Sequence, residues 1–136
     1  MQDAKKILKS VSILLGFIGI ADVVLLGIHV ASYCLVLAFL SEFLAAAIAV
    51  IVMTITSTAL ILFGCFSISR DRFVRGGMCN IIAGTITIGI YLYYTSGFPI
   101  LQLYGLLGYF ILLPAPLSGL ISLTTLRKEC ILATEF

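Results

Sequence analysis

From Gly76 to Leu126 the chain reads GGMCNIIAGTITIGIYLYYTSGFPILQLYGLLGYFILLPAPLSGLISLTTL, without one Asp, Glu, Lys or Arg. As a single helix these 51 residues would extend about 75 Å. The hydrocarbon core of a bilayer is only about 30 Å thick. A run this long and this apolar must turn back on itself. Thr95-Ser-Gly-Phe-Pro99 is its turn-rich interruption at a suitable place. The spacing predicts one crossing before that turn, about 78–94, and another after it, about 100–126.

Outward from this stretch the pattern repeats. A second charge-free run covers 43–69 and predicts a crossing at about 43–66. A third apolar run, about 11–30, follows a basic start. The apolar core of that first run exceeds a signal peptide's, and no small-x-small site follows it at the right distance, so it reads as a retained crossing. Of the whole chain, 62% is hydrophobic and 10% charged. A soluble domain carries about 25% charged residues, so soluble and disordered classes are excluded. Barrel strands are excluded too, because alternation is missing and the runs are too long. The expectation is an all-α integral membrane protein: one transmembrane domain over 1–136, built as a four-transmembrane-helix bundle.

The basic residues fall in three clusters: Lys5, Lys6 and Lys9; Arg70, Arg72 and Arg75; Arg127 and Lys128. Four crossings place all three on one side, and the positive-inside rule makes that side cytoplasmic, with both termini on it. Tyr33, Tyr91, Tyr93, Tyr94 and Tyr104 fall near the opposite boundary, as half of an aromatic belt. Tyr109 lies deeper.

Residues 31–42 admit two readings. In one they form a turn or short helix along the outer interface. In the other the chain reverses near Ser32, which would bring Asp22 and Glu42 to one depth, about 15 Å below the turn. Two carboxyls there would share a proton or hold a cation.

Asp22 is the residue most in need of explanation. A carboxyl inside the hydrocarbon costs at least ~2.5 kcal/mol and is a functional-site candidate by default. Its roles would be proton relay, cation site or anchor for a partner subunit. A protonated carboxyl hydrogen-bonded to Tyr91, Tyr104 or Thr87 is the structural alternative. His29 follows by two turns on the same helix face, and Glu42 completes the set of intramembrane polar candidates. Their spacing matches no metal motif, so no metal is expected. As the single histidine, His29 excludes bis-histidine haem within one chain. No Gly-rich phosphate loop, CxxC pair or nucleophile–base pair is present, so no cofactor is expected either. The net charge of +2 gives no reason to expect a nucleic-acid partner.

Smaller signals concern packing. Gly16 and Gly19, and Gly105 and Gly108, are spaced to let helix backbones approach. Pro114 and Pro116 predict a kink in the fourth helix near 112–116. Cys130, after Arg127-Lys128-Glu129, stands where S-palmitoylation occurs in eukaryotic membrane proteins. In topology alone the outline resembles small tetraspan proteins such as the MARVEL group, and no motif carries the resemblance further.

Functionally, the sequence points first to a non-catalytic accessory or scaffolding subunit of a larger membrane complex, in contact with the lipid bilayer and with other membrane subunits or its own copies. The alternative is an oligomeric small transporter or channel using Asp22. An enzyme has the least behind it.

Overall fold

A computed structural model of the chain describes residues 2–37, 42–97 and 112–134. These residues form four helices: α1 Gln2–Val36, α2 Glu42–Ser69, α3 Phe73–Gly97 and α4 Pro114–Thr134. Three of them contain stretches long and apolar enough to cross a membrane, Asp3–Val36, Leu44–Ser69 and Phe73–Tyr93. The first proline is Pro99, so nothing in α1 to α3 removes a backbone donor. In an apolar medium only internal hydrogen bonding satisfies the backbone, and continuous helix provides it.

The helices are longer than the apolar runs that announce them. At the basic end α1 starts at Gln2 and α2 continues to Ser69. At the far end α1 runs through Ser32 to Val36, because Ala31-Ser-Tyr-Cys-Leu-Val36 offers no glycine or proline to stop it. Both expectations for 31–42 are thereby corrected. Residues 31–36 are helix, not an interfacial turn, and the chain does not reverse at Ser32.

The turn between α2 and α3 is tight. Arg72 N–H donates to the Ser67 carbonyl at 2.9 Å and Asp71 N–H to that of Ile68 at 3.0 Å. This is the Schellman arrangement of a helix C-terminus. Asp71 takes the left-handed position at φ 61°, where glycine is more usual. Aspartate is among the few side chains that tolerate it.

Neighbouring helices run antiparallel in a cyclic arrangement. α1 lies between α2 and α4, α3 lies between them on the other side, and α1 and α3 face each other across a diagonal with little contact. Ser12 meets Ser118, Gly27 meets Thr54, Gly64 meets Asn80 and Gly77 meets Gly119. The closest approaches need glycine. A Cβ built on Gly119 would stand 2.6 Å from the Gly77 carbonyl oxygen, and one on Gly76 would stand 2.6 Å from that of Gly64. The consecutive glycines 76 and 77 thus let α3 seat its backbone against α2 on one side and α4 on the other. Two apolar layers fill the interior. Val23, Ile61, Cys65, Ala83 and Ala115 form one. Val30, Ala31, Cys34, Ala47 and Val50 form the other, nearer the far end.

Of the expected fourth helix, 100–126, the described residues cover only the part from 112 on. Residues 100–111 lie outside the described residues. Leu113 interrupts helical geometry, and α4 opens at Pro114. Pro114 and Pro116 both occupy the first turn, where a missing N–H costs nothing. Leu117 N–H then donates to the Leu113 carbonyl at 3.0 Å. α4 continues past Leu126, so Cys130 lies within the helix and not after it.

Candidate functional site

Three features of the bundle carry polar chemistry. At the basic end, Lys9 on α1 pairs with Asp71 in the α2–α3 turn at 2.8 Å. The ammonium of Lys5 sits 5.5 Å from the centre of the Phe73 ring, and the guanidinium of Arg70 sits 4.2 Å from that of Phe66. The Lys9 and Lys5 contacts tie the N-terminal turns of α1 to the α2–α3 turn and the start of α3, while the Arg70–Phe66 contact is local to the end of α2. The hydrogen bond from Lys9, aided by the charges of Lys9 and Lys5, holds the Asp71 carboxyl below the usual range.

One layer further in, a polar cluster joins all four helices. Ser12 Oγ on α1 donates to the Ser118 carbonyl on α4 at 2.7 Å, and Ser118 Oγ stands 2.6 Å from the Ser12 carbonyl. Asn80 Nδ2 on α3 donates to Ser118 Oγ at 2.8 Å. Cys65 Sγ on α2 donates to the Ile13 carbonyl at 3.9 Å. Ser12, Asn80 and Ser118 are at most 1% exposed. In a medium without water, such bonds and small contacts hold helices together where lipid gives no hydrophobic drive. The groups are neutral donors and acceptors, so the cluster supports a packing role and offers no acid or base.

The third feature is Asp22. It is half-buried on α1, one turn beyond Gly19, and Gly19 meets Ala115 of α4. Among the described residues it makes no hydrogen bond or ion pair. Of its expected partners, Thr87 lies on α3 and donates to the Ala83 carbonyl of its own helix at 2.9 Å. Tyr91 is buried on α3, across the diagonal. Tyr104 lies outside the described residues. Glu42 opens α2 while Asp22 lies about 20 Å down α1 from its end at Val36, so the chain does not bring these two positions to one depth. His29 is exposed on α1.

Of the packing residues, Gly16 faces Cys65, Asn80 and Ser118, and Gly19 faces Ala115. Gly105 and Gly108 lie outside the described residues. Cys34 and Cys65 are buried free thiols and Cys79 is a half-buried one. Sequence reasoning missed Asn80, Ser12 and the glycines at 64, 76, 77, 84 and 119. Asn80 had a signal. An amide inside a charge-free run of this length needs a partner, and only another helix supplies one. The glycines had none, since their role depends on register between helices.

No family model, curated protein or solved structure matches this chain.

Proposed function

We propose that this chain is a small multi-pass membrane protein that serves as a non-catalytic accessory or scaffolding subunit of a larger membrane complex. It crosses the bilayer four times with both termini on the cytoplasmic or equivalent side, as a single domain. The prolines at 114 and 116 bend the fourth crossing between 100–111 and α4. The observation that carries the proposal is Asp22: an acid within an apolar helix, half-exposed at its edge, whose needs no described residue of the bundle meets. A donor on a neighbouring subunit would meet them. The surface agrees with this, since large apolar side chains such as Leu14, Phe17, Leu25 and Ile28 are exposed along the same helix. The bundle centre is filled by side chains from Ile61 to Val50, so a transport path would need several copies associating around Asp22.

Purification from native membrane under mild detergent tests the proposal. The expected result is co-purification with a fixed set of larger subunits. Asp22→Ala should cut their recovery roughly three- to twentyfold, the range set by hydrogen bonds of about 0.6–1.7 kcal/mol between membrane helices. Recovery as a homo-oligomer alone, with a solute or ion flux that Asp22→Asn abolishes, would replace the subunit role with the transporter.

A further inference from the structure

Two apolar spans almost touch at the basic pole. One ends at Ser69 and the next begins at Phe73. Arg70 and Arg72 stand in the gap, and Arg75 stands in the first turn of α3. The tight turn gathers these three positions. Consecutive Cα atoms are about 3.8 Å apart, so those of Arg70 and Arg72 are separated by at most ~7.6 Å. Arg75 follows Arg72 by about one helical turn, or roughly 5–6 Å.

All three arginines are exposed, and none makes an ion pair or side-chain hydrogen bond with a described residue. Arg70 overlies the Phe66 ring at 4.2 Å, a contact that uses none of its N–H donors on an oxygen. The acid of the turn, Asp71, is already taken by Lys9 at 2.8 Å. The guanidinium donors are thus uncommitted at the edge of the membrane spans. Sidedness alone does not ask for arginine, since lysine marks the cytoplasmic side equally well. Phosphate recognition does favour it, because the planar fork donates two parallel hydrogen bonds.

Beneath the cations the surface is apolar. Arg75, Met78 and Ile82 share one face of α3, and Met78 and Ile82 are exposed. On α2, Phe66 and Phe63 are exposed one to two turns before Arg70. A ligand that matches both layers has an anionic head and long apolar chains. A soluble acidic protein would match the arginines and leave the apolar layer to other molecules.

We propose that the α2–α3 edge of the basic pole is a binding site for an anionic phospholipid. Arg70, Arg72 and Arg75 bind its headgroup phosphate, and its acyl chains lie along the exposed apolar side chains of α2 and α3 below. The site belongs to this chain alone and does not depend on a partner subunit.

The test is native mass spectrometry of the full chain in a neutral detergent, titrated with phosphatidylglycerol or with phosphatidylcholine of the same acyl chains. Phosphatidylglycerol should bind at least tenfold more tightly. Arg75→Gln should weaken it roughly fivefold, the equivalent of about 1 kcal/mol for one cation at an anionic surface. Arg72→Gln should do the same, and serves if Arg75→Gln does not fold. Lys6→Gln removes an equal charge from α1, away from this edge, and should change binding less than twofold. Glycerophosphoglycerol, the same headgroup without chains, should not displace the lipid at hundredfold excess. Equal binding of the two lipids overturns the site. So does a loss in Lys6→Gln as large as in the arginine variants, which would reduce the effect to net charge, or displacement by the chainless headgroup.

Discussion

Gly119 and Gly89 are both helical glycines in an apolar stretch, and they respond to one added methyl group in opposite ways. At Gly119 a Cβ would lie 2.6 Å from the Gly77 carbonyl oxygen and 3.1 Å from the Ile81 nitrogen, both backbone atoms that cannot step aside alone. At Gly89 a Cβ meets nothing within 4 Å. Gly119→Ala should therefore destabilise the bundle by about 1–3 kcal/mol, the usual cost of overpacking. Gly89→Ala should stabilise it by about 0.5–1 kcal/mol, because alanine loses less backbone freedom in a helix. Thermal unfolding in detergent, compared with the unmodified chain, separates the two. This difference is invisible in the sequence, where both glycines sit among Ile, Leu and Thr. Asp22 is the opposite case. Its peculiarity is plain from the sequence, because one carboxyl stands in an apolar run, but that no described residue partners it is known only once the helices are packed.

At the scale of elements, the three helices long and apolar enough to cross a membrane were legible because length and charge alone bound them. A charge-free run of 51 residues must fold back whatever its details. The helix ends were less legible, because a helix does not stop where hydrophobicity stops. α1 continues for six residues past the predicted boundary at 30, having met nothing that breaks it. The α2–α3 turn shows what does stop a helix: the left-handed Asp71 and the two backbone bonds around it. The Lys9–Asp71 pair fastens this turn to α1. Because the folded carboxyl titrates below its unfolded value of about 3.9, the pair's contribution is complete above that pH. It is lost as the pH falls through the lower, folded value. The melting temperature should therefore carry an acid limb below about pH 4 that Asp71→Asn lacks. Asparagine also tolerates the positive φ, so the variant isolates the charge. Added salt should shrink the same contribution, since Asp71 is 61% exposed.

For the whole molecule, the grouping of the basic residues makes a prediction about sidedness. α1 begins, α2 ends, α3 begins and α4 ends at the same pole of the antiparallel bundle. Single-cysteine or epitope labels at both termini and at Ser69 should react only from the cytoplasmic side of sealed vesicles. A label at the expected turn, 95–99, should react only from the other side. A split result at the two termini would require an odd number of crossings.

The close backbone contacts are distributed unevenly along the axis. Those of Gly64 with Gly76 and of Gly77 with Gly119 all lie toward the basic pole, beside the Ser12–Asn80–Ser118 bonds. Along the outer face of α1 and α2, from mid-depth toward the far pole, lies an open apolar groove of about 590 Å3, lined by Gly27, Ala31, Thr58 and Ala59 among others. The far pole is packed by the apolar layer of Val30, Ala31, Cys34, Ala47 and Val50, while the Ser12–Asn80–Ser118 bonds fasten the basic pole. Any breathing will therefore begin at the far pole. Amide exchange should run at least tenfold faster over 27–35 than over 64–80. A partner helix approaching from the membrane would meet this groove on the α1–α2 face first.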